Sequence, residues 1–82
     1  MNIRISNISL NTTDAQLLRL FVPYGNVDSA EVQRNALNGR SLKSGRVSMP
    51  LAAQAMQAIA SLDGSVFDGK IISVSQLPSE IY

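Results

Sequence analysis

Thr13-Asp14-Ala15-Gln16-Leu17-Leu18-Arg19-Leu20-Phe21-Val22-Pro23-Tyr24-Gly25 begins as a capped helix and ends as a stop. Thr13 and Gln16 have the Ser/Thr-x-x-Glu/Gln spacing of a capping box, in which each side chain satisfies a backbone N–H that the first helical turn leaves unpaired. Asp14 adds negative charge at the positive end of the helix dipole. Leu17, Leu20, Phe21 and Tyr24 recur at helical spacing and so share one face. Pro23 and Gly25 then terminate the run.

Upstream, Asn2 to Ile8 alternates, with Ile3 and Ile5 on one side and Arg4 and Ser6 on the other, the pattern of a half-buried strand. Downstream, Val27 to Arg34 alternates loosely around Val27, Ala30 and Val32, as though one position were irregular. Asn38-Gly39, inside the Asn35–Arg40 stretch, is a strong turn signal. Lys43 to Met49 alternates again, with Gly45, Val47 and Met49 opposite Ser44, Arg46 and Ser48. Pro50 is tolerated in a first helical turn, and residues 51–62 place Ala55, Ile59 and Leu62 on one face with Ala58 beside them. Asp63-Gly64 ends that helix. Val66 to Gly69 reads as a short connection, and Lys70 to Leu77 as the last strand, with Ile72 and Val74 facing inward. Pro78 ends it, leaving 79–82 as a tail behind a domain of residues 1–78.

The predicted order is β-α-β-β-α-β. Right-handed crossovers then put both helices on one face of a four-stranded antiparallel sheet, an α+β ferredoxin-like sandwich. The other face stays open to solvent.

Eighty-two residues fit one domain, which buries roughly 60–65% of its unfolded surface. The chain has no cysteine and no histidine, which removes disulfides, thiolate metal sites and the commonest general base. The acids show no metal-loop spacing and no phosphate-loop motif is present, so neither a cofactor nor an enzymatic reaction is expected. No run of about 18 apolar residues exists to span a membrane, and the N-terminus does not resemble a secretory signal. The expected setting is cytoplasmic. Net charge is only +1, but it is segregated: between Val32 and Leu62 there is no acid, while Arg34, Arg40, Lys43 and Arg46 all lie there.

Four stretches resemble the RNA recognition motif family, one of them Phe67-Asp68-Gly69-Lys70 with Ile72 and Val74, which is similar to its entry into the fourth strand. Thr13–Gly25 matches its first-helix signature, T-x-x-x-L-x-x-L-F-x-x-[FY]-G, and Gln54–Gly64 its second, E-A-x-x-A-I-x-x-L-[ND]-G, with glutamine in the glutamate position. Ile3-Arg4-Ile5-Ser6-Asn7-Ile8 matches the short strand motif [ILV]-[FY]-[ILV]-x-N-L except at its second position. The resemblance covers Asn2 to about Gln76. It implies a βαββαβ fold whose open sheet face binds single-stranded RNA by stacking bases on aromatic rings. Against the long strand motif, [KR]-G-[FY]-[GA]-[FY]-[ILV]-x-[FY], residues 42–49 read Leu-Lys-Ser-Gly-Arg-Val-Ser-Met. The ring positions therefore hold Ser44 and Arg46, and the short motif's ring position holds Arg4.

Base stacking on an aromatic ring is worth roughly 1–3 kcal/mol per base, so the loss of three rings is costly. Arginine is an active replacement: its guanidinium stacks on bases and pairs phosphates bidentately. Strand parity puts Arg4 and Arg46 on the open face. With Arg34, Arg40 and Lys43 near the loop at its edge, five of the seven basic residues gather on one side as a phosphate track. Asn7, Gln33 and Ser73 are expected to add hydrogen bonds. The plain alternative is that arginine and serine merely keep a bare sheet face soluble. Tyr82, just past the last strand, is placed either to fold over that face as a ring or, as chain ends more often do, to fray.

The helices carry a second signal. From Pro50 to Leu62 no side chain is charged, and Leu18, Val22 and Met56 fall away from the core-facing stripes. Such an apolar outer surface suits a homodimer or a protein partner, although alanine and glutamine also simply favour helix. Some relatives bind peptides through their helices with an Arg-x-Phe motif. Ser65-Val66-Phe67 lacks that arginine.

Overall fold

A computed structural model describes residues 1–77. Its elements are β1 (Asn2–Ser6), α1 (Asp14–Phe21), a 3-10 turn (Val22–Tyr24), β2 (Ser29–Arg34), β3 (Ser41–Ser48), α2 (Ala52–Leu62), β4 (Val66–Phe67), β5 (Lys70–Ile71) and β6 (Ser73–Gln76). The main sheet has the order β2-β3-β1-β6 with every adjacent pair antiparallel. The first helix connects β1 to β2, two places away across β3, and the second connects β3 to β6 across β1. This is the split βαβ, ferredoxin-like arrangement.

Local chemistry explains the helix ends. Thr13 Oγ1 accepts from Gln16 N at 3.3 Å and Gln16 Oε1 accepts from Thr13 N at 3.0 Å, completing the capping box. Pro23 carries the chain from α1 into the 3-10 turn. Gly25 follows at φ 151, and a Cβ there would collide with the Gln54 side chain, whose Oε1 accepts from Asn26 N at 2.9 Å. Thus α2 braces the approach to β2, and only glycine leaves room for the brace.

The core lies between helices and sheet. Ile3, Ile5, Val32, Val47, Ile72 and Val74 meet Leu17, Phe21, Ala55, Ala58 and Leu62, all buried. Both sheet edges receive a carboxylate from a helix end, Asp14 at the start of α1 and Asp63 just past α2. Asp14 Oδ1 accepts from Val32 N on edge strand β2 at 2.7 Å, and Asp63 Oδ1 accepts from Val74 N on edge strand β6 at 3.0 Å. Each removes an unpaired N–H from an edge that would otherwise invite pairing with another chain.

Three features differ from the expectation. The stretch from Lys70 is not one strand: Lys70–Ile71 pairs with Val66–Phe67 in a separate hairpin, and the chain joins the sheet only at Ser73. The turn at Asp68 (φ 53) and Gly69 (φ 78) closes that hairpin, so Val66–Gly69 is more than a connection. A bulge that alternation did not show lies in β3, whereas the uneven spacing of Val27, Ala30 and Val32 stands, all three packing on the core. Val32 pairs with Gly45 and Arg34 with Ser41, so Leu42, Lys43 and Ser44 together face Gln33 alone. The positions expected for Pro78 and Tyr82 lie outside the described residues.

Candidate nucleic-acid interface

The open face of the sheet is laid out by register. One row crosses all four strands: Glu31 opposite Arg46, Arg46 opposite Arg4, and Arg4 opposite Ser75. A second row runs Ser44, Ser6, Ser73. Arg4 and Ser73 are exposed, while Ser44 and Arg46 are half-buried between their neighbours. Alternation alone puts these residues outward, because Ile3, Ile5, Gly45 and Val47 must face the helices. Gly45 is needed there: a Cβ would stand 2.4 Å from Leu17 Cδ1, so α1 packs directly onto the β3 backbone.

The bulge shapes the end of this face. Lys43 occupies the motif's glycine position and takes the left-handed φ of 60, and its carbonyl accepts from Ile8 N at 3.1 Å. Asn7 is also left-handed, at φ 62, and its Nδ2 donates to Ile71 O at 2.8 Å. Its side chain therefore holds the β4–β5 hairpin against the end of β1. Gln33 is half-buried opposite the bulge.

Arg34, Arg40 and Lys43 converge. With Leu10, Gly39 and Ser41 they line an open cleft of about 490 Å³. The β2–β3 loop is held in shape by Asn35 N donating to Arg40 O and Gly39 N donating to Asn35 O, each at 2.8 Å. By alternation Arg34 falls on the side of Val32, away from Glu31. The cleft therefore opens at the end of the sheet, bordered by Leu10 of the loop before α1. The five basic residues form two groups, an arginine pair on the face and a cationic cleft at its end, rather than one continuous track.

Sequence reasoning missed Glu31, Leu10, Ser41 and Leu42. Parity between Ala30 and Val32 does place Glu31 outward, but only the β2–β3 register sets it against Arg46. Leu10 comes to the cleft through tertiary folding. Leu42, 55% exposed, is part of the bulge. Leu18, Val22 and Met56 are exposed, as their helical positions predict, at 40%, 53% and 59%. Among the described residues no group of acids is placed to hold a metal ion, and no helix is long and apolar enough to cross a membrane.

Comparison with known proteins agrees with this geometry. The model of the RNA recognition motif matches residues 3–73. A 28 kDa chloroplastic ribonucleoprotein of Nicotiana sylvestris is 40% identical over 73 residues, which cover 89% of this chain and 26% of that protein. The chain thus spans about a quarter of that relative. Among solved structures, RNA Binding Protein PG1 superimposes with a TM-score of 0.94 at 30% identity, covering 100% of this chain and 99% of that one. A Sxl-lethal protein in complex with RNA superimposes with a TM-score of 0.83 at 28% identity, covering 90% of this chain and 46% of that one. From its helix signatures through its sheet order to these likenesses, the chain belongs to the RNA recognition motif family.

Proposed function

We propose that this chain is a binding module that engages single-stranded RNA on its open sheet face, with modest, salt-sensitive and weakly sequence-specific affinity, and performs no chemistry of its own. The observation that carries this reading is the register pair Arg4–Arg46, at two of the positions where the family places stacking rings. Both guanidiniums offer a planar surface for a base and a fork of donors for a phosphate. Arg34, Arg40 and Lys43 in the end cleft supply further phosphate contacts, and Ser44, Ser73, Asn7 and Gln33 supply hydrogen-bonding groups along the same end of the sheet. Phosphate pairing adds affinity without reading sequence, which is why weak selectivity accompanies it.

The test is an NMR titration of labelled protein with a randomised short RNA at low salt. Shifts are expected to concentrate on Arg4, Ser44, Arg46 and the Arg34–Lys43 segment. A sheet whose resonances do not move would overturn the reading.

A further inference from the structure

Glu31 is an exposed carboxylate on the face proposed to meet a polyanion, where its negative charge opposes phosphate binding. It stands directly opposite Arg46 across the β2–β3 ladder, in the row that continues to Arg4 and Ser75. Residues paired in this way hold their Cβ atoms about 4.5–5.5 Å apart, so one planar ligand can meet both side chains. An ionised carboxylate only accepts hydrogen bonds, with two oxygens side by side; a guanidinium only donates.

We propose that Glu31 makes this sheet selective for guanine at one nucleotide position, its carboxylate accepting from guanine N1–H and N2–H while Arg46 beside it donates to guanine O6. The proposal deepens the RNA-binding reading and rests on it. Single-stranded RNA is read along the exposed edges of its unstacked bases. Guanine alone presents two adjacent donors followed by an acceptor along one edge. Adenine and cytosine each offer one amino donor flanked by a ring acceptor, and uracil offers one donor between two acceptors. With any of these three, one carboxylate oxygen faces a lone pair. The order carboxylate then guanidinium across β2 and β3 follows the order of the groups along the guanine edge.

A plainer role for Glu31 is to offset the charge of Arg46, which itself faces Arg4. The two roles separate experimentally. The probes are short uridine-rich RNA oligonucleotides carrying a single guanine, adenine or cytosine at the centre, or uridine throughout, titrated at low salt into the wild type and Glu31→Gln. Glutamine keeps the size of the side chain at an exposed position, and an NMR fingerprint verifies the fold.

The wild type is expected to bind the guanine probe about tenfold more tightly than the others, the scale of one good bidentate contact. Glu31→Gln is expected to bring the guanine probe down to the rest while the other three hold or gain, since a repulsive charge has gone. A parallel change in all four probes would mean a counter-charge only and would overturn the proposal, as would a wild type that binds all four alike. A wild type that binds none of them would remove the RNA reading itself, and this inference with it.

Discussion

Arg4 and Arg46 face each other directly across the β1–β3 ladder, two like charges in register on the side of the sheet turned away from the core. Like charges in that position weaken the pairing that holds them, and Glu31 across from Arg46 offsets part of the cost. Their presence at ring positions makes ring restoration the most informative change. Arg46→Phe and Arg4→Tyr are each expected to raise RNA affinity by about 1–3 kcal/mol where a base stacks on the new ring. Each is also expected to flatten the salt dependence by about 0.7 in log–log slope for every phosphate contact removed. Fluorescence anisotropy across a salt series reads both quantities. A fall in affinity with both variants would show that phosphate pairing dominates at these positions.

Lys43 combines a backbone cost with a charge. At φ 60 it occupies a conformation that glycine adopts freely and a lysine adopts only against steric resistance. Lys43→Gly is therefore expected to stabilise the fold by about 1 kcal/mol, read as a higher urea midpoint with an unchanged slope. The same change removes one cation from the end cleft and is expected to lower RNA affinity and reduce the salt slope by about 0.7. Stability and binding moving in opposite directions would identify a residue kept for function against the preference of its own backbone.

The two helix signatures were legible because they rest on local chemistry. The capping box at Thr13–Gln16 and the burial of Leu17 and Phe21 follow from spacing alone. The outward placement of Arg4, Ser44 and Arg46 followed from alternation, since Ile3, Ile5, Gly45 and Val47 take the core side. Register itself was not legible, and so neither was the row Glu31–Arg46–Arg4–Ser75. The β3 bulge was not legible, because the extra residues at 42–44 show only against the register with β2. The β4–β5 hairpin is two short pairs with exposed Val66 and Ile71, too brief for alternation to reveal. The cationic cleft combines residues from the loop before α1 with the ends of β2 and β3, a juxtaposition only the fold creates.

Gly45 tests how closely α1 is seated. A Cβ at this position would lie 2.4 Å from Leu17 Cδ1 and 3.2 Å from Glu31 O. Leu17 is completely buried, so its side chain has little free space to move into. Gly45→Ala is expected to destabilise the domain by about 1–3 kcal/mol through overpacking, read from chemical denaturation. A neutral Gly45→Ala would mean that α1 shifts on the sheet without cost.

Thr12 is only 1% exposed, and its Oγ1 has no hydrogen-bond partner among the described residues, although its backbone N–H donates to Ser9 O at 3.1 Å. Burying a hydroxyl without a partner costs on the order of 1–3 kcal/mol, whereas a methyl of similar size in the same space costs nothing comparable. The β-branched shape suits the position, so Thr12→Val changes chemistry while keeping volume. Thr12→Val is expected to raise stability by about 1 kcal/mol, and Thr12→Ser, which keeps the hydroxyl and removes a methyl, to lower it. Equilibrium urea unfolding of both variants separates the contributions. A destabilised Thr12→Val would mean that the hydroxyl is hydrogen-bonded in solution, and that the loop before α1 depends on that bond.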